Sequence, residues 1–128
     1  EKLIPKIITH ANENKKIPVY GNGKNIRDWI FVIDHCNALL QVLFKASKGQ
    51  SYHISASNEL SNIYVIKKIL KMMNKPSSLI EFVPDRLGHD FRYSLNPSQS
   101  HTKLNWKPIT KFETGLELTI KWYQNKNN

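Results

Sequence analysis

The chain has 128 residues, enough for one domain with its own core, and its 40% hydrophobic and 23% charged residues are ordinary globular values that exclude collagen-like and disordered chains. No apolar run approaches the ~20 residues of a bilayer span, and the single cysteine, Cys36, excludes a disulfide framework and a Cys-based zinc site and fits a reducing, cytoplasmic compartment. Nineteen Lys and Arg against ten Asp and Glu give a formal charge of +9, which favours anionic partners.

Residues 2–14 carry Leu3, Ile7, Ile8 and Ala11 at helical spacing, which predicts an amphipathic helix. Ile17–Tyr20 reads as a short extended piece, and Gly21-Asn22-Gly23 as a tight turn, because Gly and Asn tolerate positive φ. Ile26–Val32 is apolar on both faces apart from Arg27 and Asp28, the pattern of a buried strand. Asp34 then suits the N-cap of a helix that buries Cys36, Leu39, Leu40 and Leu43 and closes at Gly49. Tyr52–Ser55 predicts another strand. Ser61 caps the next helix, with Ile63, Ile66, Ile69, Leu70 and Met73 inward, Lys67, Lys68 and Lys71 in water, and Pro76 ending it. Ile80–Val83 predicts a strand. Asn96-Pro97 opens a short helix that Asn105 ends. Thr110-x-x-Glu113 is a capping box before a last helix carrying Phe112, Leu116, Ile120 and Tyr123, with fraying expected from Gln124. Helices alternating with short strands predict an α/β fold.

The sixteen lysines spread over the whole chain rather than gathering into a stripe, which argues against a nucleic-acid module and makes it the least favoured alternative. The three arginines, Arg27, Arg86 and Arg92, are the sharper signal, since a planar fork binds phosphate or carboxylate bidentately and an ammonium does not. Gly21-Asn22-Gly23-Lys24 fails the spacing of a P-loop and, with Ile26 where a third glycine belongs, of a dinucleotide loop. Tyr64-x-x-x-Lys68 has the spacing of a general acid–base pair but falls on the lysine-rich face of its helix, with no nucleotide loop or catalytic Ser/Thr beside it. Cys36 reads as core. His10, His53, His89 and His101 show no i,i+4 pairing with a carboxylate helper and no zinc pattern. No complete catalytic set is present.

Two segments resist a bland reading. Arg27-Asp28 puts charge inside an apolar run, where it needs a partner or a ligand; a purely structural Arg27–Asp28 network is the competing account. Asp85-Arg86-Leu87-Gly88-His89-Asp90 is a polar loop after a strand, a place where α/β proteins bind ligands, and Gly88 would let a backbone approach closely.

Glu1-Lys2-Leu3-Ile4-Pro5 comes first, and Pro18-Val19-Tyr20-Gly21-x-Gly23-Lys24-x-Ile26-Arg27-Asp28-Trp29-x-x-Val32-x-Asp34-His35 follows. Asn58-Glu59-x-x-Asn62, Asp85-Arg86-x-Gly88-His89-Asp90-x-Arg92-Tyr93 and Leu104-x-Trp106-Lys107-Pro108 complete the series. In this order, from Glu1 to Tyr123, they resemble the nucleotide-sugar dehydratases and epimerases of the extended short-chain dehydrogenase/reductase family. The resemblance implies that residues 1–128 are the C-terminal, nucleotide-sugar-binding portion of a Rossmann-type α/β fold. The N-terminal NAD-binding Rossmann portion, with the glycine-rich loop and the catalytic Asp/Glu and Tyr-x-x-x-Lys pairs, would lie outside these residues. An opening at Glu1 rather than Met agrees with a piece of a longer protein.

The same resemblance implies NAD, held by that other portion, as cofactor. It implies a nucleotide sugar, dTDP-glucose, as partner, no nucleic acid or membrane, and a homodimeric parent lyase that removes water to give a 4-keto-6-deoxy sugar. This chain would carry no catalytic, cofactor or metal residue and would be inactive alone. Carried over by position, the substrate contacts fall on Lys2, Leu3, Ile4, Pro5, Lys6, Ile7, Pro18, Val19, Tyr20, Arg27, Asn62, Asp85, Arg86, Leu87, Gly88 and His89. Arg27 and Arg86 would hold the pyrophosphate, while Tyr20, Leu3, Ile4 and Pro18 flank the nucleobase and Asn62 and His89 add polar contacts. Leu87 stands where the family carries proline, Phe91 where arginine is usual, and His53-Ile54-Ser55-Ala56 where a glycine-rich stretch is usual. Another nucleotide-sugar epimerase or dehydratase is the alternative.

Overall fold

A computed structural model describes residues 2–126; Glu1, the first residue of the family-like opening, lies outside them, as do 127 and 128. Helix α1 (Leu3–Asn12) buries Ile7, Ile8 and Ala11, the stripe its spacing predicts. Strand β1 (Ile17–Tyr20) pairs in parallel with β4 (Ile80–Val83), from Ile17↔Ile80 to Tyr20↔Val83. Helix α3 (Asn62–Met72) and helix α5 (Phe112–Lys126) close over this pair, so that Ile17, Val19, Val65, Ile66, Ile69, Leu70, Leu116 and Ile120 form one core with α1. Ser61 caps α3 as expected, its Oγ accepting from Tyr64 N–H, and Asn74 at φ +53 turns the chain out before Pro76.

The second sheet has three short strands with β2 (Ile26–Asp28) at its centre, antiparallel to β3 (Glu59–Ser61) and parallel to β5 (Arg92–Tyr93). The expected strand over Ile26–Val32 therefore stops four residues early. Its neighbours pair with it only as far as Asp28; the Trp29 indole N–H then donates to Leu60 O at 3.2 Å, and Val32 already begins helix α2 (Val32–Lys45).

Helix α2 differs most from expectation. It turns Asp34 and Ala38 inward, Ala38 against Leu104 at the end of α4 (Ser98–Leu104) and Trp106 just after it, whereas Cys36, Leu39, Leu40 and Leu43 are exposed. Asp34 is not the N-cap, which is Phe31 without a side-chain bond; it sits buried in the first turn and accepts from Thr110 N–H at 2.9 Å. That bond also replaces the expected capping box: Thr110 is held by its backbone, and Gly115 N–H donates to Lys111 O as α5 begins. Tyr52–Ser55 is not a strand; residues 51–58 carry no regular structure, and Ser57 takes φ +54. Helix α4 starts one residue later than expected, although the Asn96 side chain does accept from Ser98 N–H (3.0 Å) and Asn105 does end the helix at φ +48. Residues from Gln124 to Lys126 are helical, where fraying was expected.

Candidate functional site

Three connected pieces meet at one end of the two sheets: the turn after β1, the strand β2 and the 84–91 loop between β4 and β5. Gly21 N–H donates to Val83 O (2.9 Å), and the residue takes φ +55, which favours glycine. A Cβ there would lie 2.9 Å from Asp85 Oδ2, so glycine is what lets the turn close against the loop.

Within the loop, Asp85 Oδ1 accepts from Arg86 N–H (2.8 Å) and lies 2.6 Å from His89 Nδ1, which donates to it. These two donors, the His89 ring first, hold the Asp85 carboxyl below the usual carboxylate range. An i,i+4 pairing of His89 with a carboxylate thus exists where none was expected; it braces the loop, and among the described residues no third metal-ligating side chain joins the two. Gly88 takes φ +68, a conformation that favours glycine, and no protein atom lies within 4 Å of a built Cβ.

Tyr20 joins this loop to the strand. The Arg86 guanidinium carbon lies 5.0 Å from its ring centroid, in cation–π range, and the His89 ring meets it edge-on at 6.2 Å. Tyr20 thus carries Arg86, a job the sequence had not assigned to it. Asn25, buried and absent from the sequence candidates, sits 3.3 Å from His89 Nδ1 and donates through Nδ2 to Asp90 O at 3.2 Å. Arg27 donates to the same Asp90 carbonyl (2.9 Å) and to Ile26 O (2.7 Å). An unbroken series of contacts therefore runs Arg86–Tyr20–His89–Asn25–Asp90–Arg27. Asn25 could have been found as a polar residue in the turn-to-strand step; nothing local marked the Asp90 carbonyl.

The charges are unequally spent. Arg92 closes fork to fork on Glu59 (2.6 and 2.7 Å), with Ser94 Oγ–H adding 2.9 Å, so that Glu59 is held below its usual range and Arg92 above. That arginine ties β5 to β3 across β2. Arg27 meets only neutral carbonyls, and among the described residues the Arg86 side chain makes no hydrogen bond and neither has an ion pair. Although neither is ion-paired, the Asp85 carboxylate beside Arg86 feels its charge; planar forks of this kind can bind phosphate or carboxylate bidentately. The structural Arg27–Asp28 network does not form. Alternation sends the two side chains to opposite faces, and Asp28 instead binds Ser55 Oγ–H, Ser57 N–H (3.2 Å) and Asn58 N–H (2.9 Å).

The remaining candidates divide. Asn62 N–H donates to Asn25 O (3.0 Å), placing it beside the series, and its Oδ1 is buried without a partner among the described residues, as is His101 Nε2 on α4. Pro18 is half-buried on β1 and Leu87 fully exposed on the loop, whereas the Ile7 and Val19 side chains belong to the core. Lys2, Leu3, Ile4, Pro5 and Lys6 form the start of α1, and among the described residues no hydrogen bond or ring contact links them to the Tyr20–Arg86 group.

Lys68, one helical turn from Tyr64, has a further partner on α5. Lys68 reaches Glu113 at 3.2 Å, and its ammonium is held above the usual range by Glu113 first and by Tyr64 to a lesser degree. The one dinucleotide-like turn also fails on geometry. The Gly21 and Gly23 amides are taken by Val83 O and Tyr20 O, and the turn leads into a strand, not a helix N-terminus, so these residues do not fit NAD. A cavity of about 100 Å³ is lined by Asp28, Ile30, Ile54, Ser55, Tyr93, Ser94 and Leu95, with no arginine in its lining. It is well below the ~300–1,000 Å³ of a typical ligand pocket.

The profile of the family described as GDP-mannose 4,6 dehydratase matches residues 1–119. The dTDP-glucose 4,6-dehydratase of Haemophilus influenzae is 44% identical over 96% of this chain and 40% of its own. Two solved structures are similar throughout. The Bacillus anthracis dTDP-glucose 4,6-dehydratase in complex with NAD has 42% identity and a TM-score of 0.92 over 98% of this chain and 40% of that one. The Streptomyces venezuelae dTDP-glucose 4,6-dehydratase, with NAD and TYD bound, has 35% identity and a TM-score of 0.95 over 98% and 39%. The chain thus spans about two fifths of the length of the relatives it matches.

Proposed function

Because the chain belongs to the GDP-mannose 4,6-dehydratase family, we propose that it is the nucleotide-sugar-binding part of an NAD-dependent dTDP-glucose 4,6-dehydratase. That enzyme is a lyase that converts dTDP-glucose to dTDP-4-keto-6-deoxyglucose and water. The observation that carries the reading is the series from Arg86 to Arg27, two unpaired guanidinium groups on one continuous frame.

In this reading Arg86, held over Tyr20, and Arg27, held by Asp90 O, take the diphosphate, and Asn62 Oδ1 accepts from a neutral donor of the ligand. Asp85 and His89 fix the loop that presents Arg86. Affinity gained at the diphosphate, remote from the reacting carbons, holds the sugar where the chemistry occurs. Dinucleotide chemistry belongs to the portion that makes up the rest of the relatives' length, since the Gly21–Gly23 turn does not fit it. A cytoplasmic, homodimeric whole enzyme completes the reading, and the chain by itself supplies no catalytic group. Incubated with dTDP-glucose and NAD, it therefore forms no 4-keto-6-deoxy product detectable by mass spectrometry; turnover by these 128 residues alone contradicts that assignment.

The family description favours a second reading, a guanosine- rather than thymidine-diphosphate sugar. Calorimetric titration with the diphosphates of thymidine, uridine and guanosine decides between them: the proposal expects thymidine diphosphate to bind most tightly, and a preference for guanosine diphosphate replaces it with the second reading.

A further inference from the structure

Asn22 is the only asparagine in these 128 residues that stands before a glycine. It is exposed at the tip of the turn after β1, between Gly21 at φ +55 and Gly23 at φ +69. Glycine has no side chain to shield its peptide nitrogen, so the side-chain amide carbon of Asn22 can meet the Gly23 nitrogen and close a succinimide ring.

The turn prepares that carbon for attack. Asn22 Oδ1 accepts from Lys24 N–H at 3.0 Å, which folds the side chain back along its own C-terminal backbone. The same N–H stabilises the negative charge that forms on Oδ1 during attack, as an oxyanion donor does. The Lys24 ammonium adds a positive charge, which favours the ionised nitrogen. One bond holds the reaction back. Gly23 N–H donates to Tyr20 O at 3.1 Å, so attack proceeds from turns in which that bond has opened.

We propose that Asn22 is a self-modification site, converted without an enzyme to isoaspartate. The Gly23 nitrogen gives its proton to solvent base and bonds to Asn22 Cγ, the Cγ–Nδ2 bond breaks, and ammonia leaves. Water then opens the ring: attack at Cγ gives aspartate, and attack at the main-chain carbonyl gives isoaspartate. In sum an amide and a water become a carboxylate and ammonium, with no oxidant or reductant. Isoaspartate runs the backbone through Cβ and Cγ, which makes it one atom longer. The turn is too tight for that atom. A Cβ on Gly21 would lie 2.9 Å from Asp85 Oδ2 and one on Gly23 2.8 Å from Val19 Cγ1, and Gly23 O accepts from Ile63 N–H at 2.9 Å. Isoaspartate therefore unseats Gly21 from Val83 O, frees the 84–91 loop, and adds a carboxylate near it. On the functional reading above, on which this last step rests, the modified chain loses its grip on the diphosphate.

The test follows the intact chain over time at neutral and at mildly alkaline pH, with digestion at mildly acidic pH and a zero-time control. Mass spectrometry of the tryptic peptide Ile17–Lys24, in which Asn22 is the only asparagine, measures the exchange of amide for acid, and isoaspartate methyltransferase labels the isomer. Isoaspartate is expected at Asn22 at least ~10-fold faster than at Asn14, which precedes a lysine, faster still at the higher pH, and not at all in Asn22→Gln. Conversion no faster than at Asn14, or indifferent to pH, overturns the site. The isoaspartate form, resolved by ion exchange, is expected to exchange amide hydrogen in the 84–91 loop at least ~10-fold faster than the parent. Freshly prepared Asn22→Asp, which adds the charge without the atom, stays near the parent. Unchanged exchange in the isoaspartate form overturns the release of the loop. Thymidine diphosphate is expected to bind the isoaspartate form at least ~10-fold more weakly, and equal binding by both forms overturns the loss of grip. A parent chain that binds no diphosphate refutes the functional reading but leaves the isoaspartate yield as it is, so the two failures are distinguishable.

Discussion

Removing the Asp34 carboxylate tests how α2 is fixed to the rest of the molecule. Asp34 is 2% exposed, accepts from Thr110 N–H at 2.9 Å, and lies in the first helical turn, where a negative charge also meets the helix dipole. Asp34→Ala loses the bond and strands a partly buried N–H, about 1–2 kcal/mol, and loses the dipole contribution, about 0.5 kcal/mol. The sum, roughly 2 kcal/mol, corresponds to a fall in Tm of roughly 8 °C for a domain of this size. Asp34→Asn removes the charge but keeps a carbonyl acceptor, so it should cost about half as much. Urea and thermal unfolding followed by circular dichroism measure both. If Asn proves as harmful as Ala, the charge and not the bond matters; if Ala costs under about 0.5 kcal/mol, the Thr110 contact does not anchor α2.

Other consequences can be checked alongside. Gly21→Ala meets Asp85 at 2.9 Å as well as positive-φ strain, whereas Gly88→Ala meets the strain alone, so the first should destabilise by more than the ~1 kcal/mol expected of the second. Equal losses in unfolding titrations argue against the close approach of turn and loop. Asp85 and Glu59 are both held below their ordinary values of 3.8 and 4.5, so their contribution is complete above those values and is lost as pH falls through the lower folded values. Stability measured by urea unfolding from pH 6 to pH 3 should therefore fall below about pH 4.5, and less steeply in Glu59→Gln and Asp85→Asn. A wild-type profile flat over that range contradicts the assignment.

Local chemistry made much of the fold legible. The stripe of α1, the Ser61 cap, the strand at Ile80–Val83 and the inward side of α5 each follow from spacing or from one side-chain oxygen, and each stands as read. The misreadings share one cause, partners distant in sequence. Asp34 looks like a cap because its bond to Thr110 spans 76 residues. Ile26–Val32 looks like one strand because its apolar run says nothing about where its neighbours stop pairing, at Asp28. The face of α2 was placed inward because apolar residues seek cover, and the described residues supply none for Leu39, Leu40 or Leu43. In the candidate site, Arg27, Arg86 and His89 are legible in the sequence as candidates; the Tyr20 platform, the Asn25 link and the Asp90 carbonyl that join them required coordinates.

The central claim is that Arg27 and Arg86 take hold of one diphosphate, and titration calorimetry with thymidine diphosphate and thymidine monophosphate tests it most directly. Each arginine contributes charge-assisted bonds of roughly 1.5–3 kcal/mol, so Arg27→Ala and Arg86→Ala should each weaken diphosphate binding roughly 10- to 150-fold and narrow the preference for diphosphate over monophosphate. Diphosphate affinity that survives both substitutions unchanged, or is absent from the wild-type chain, contradicts it.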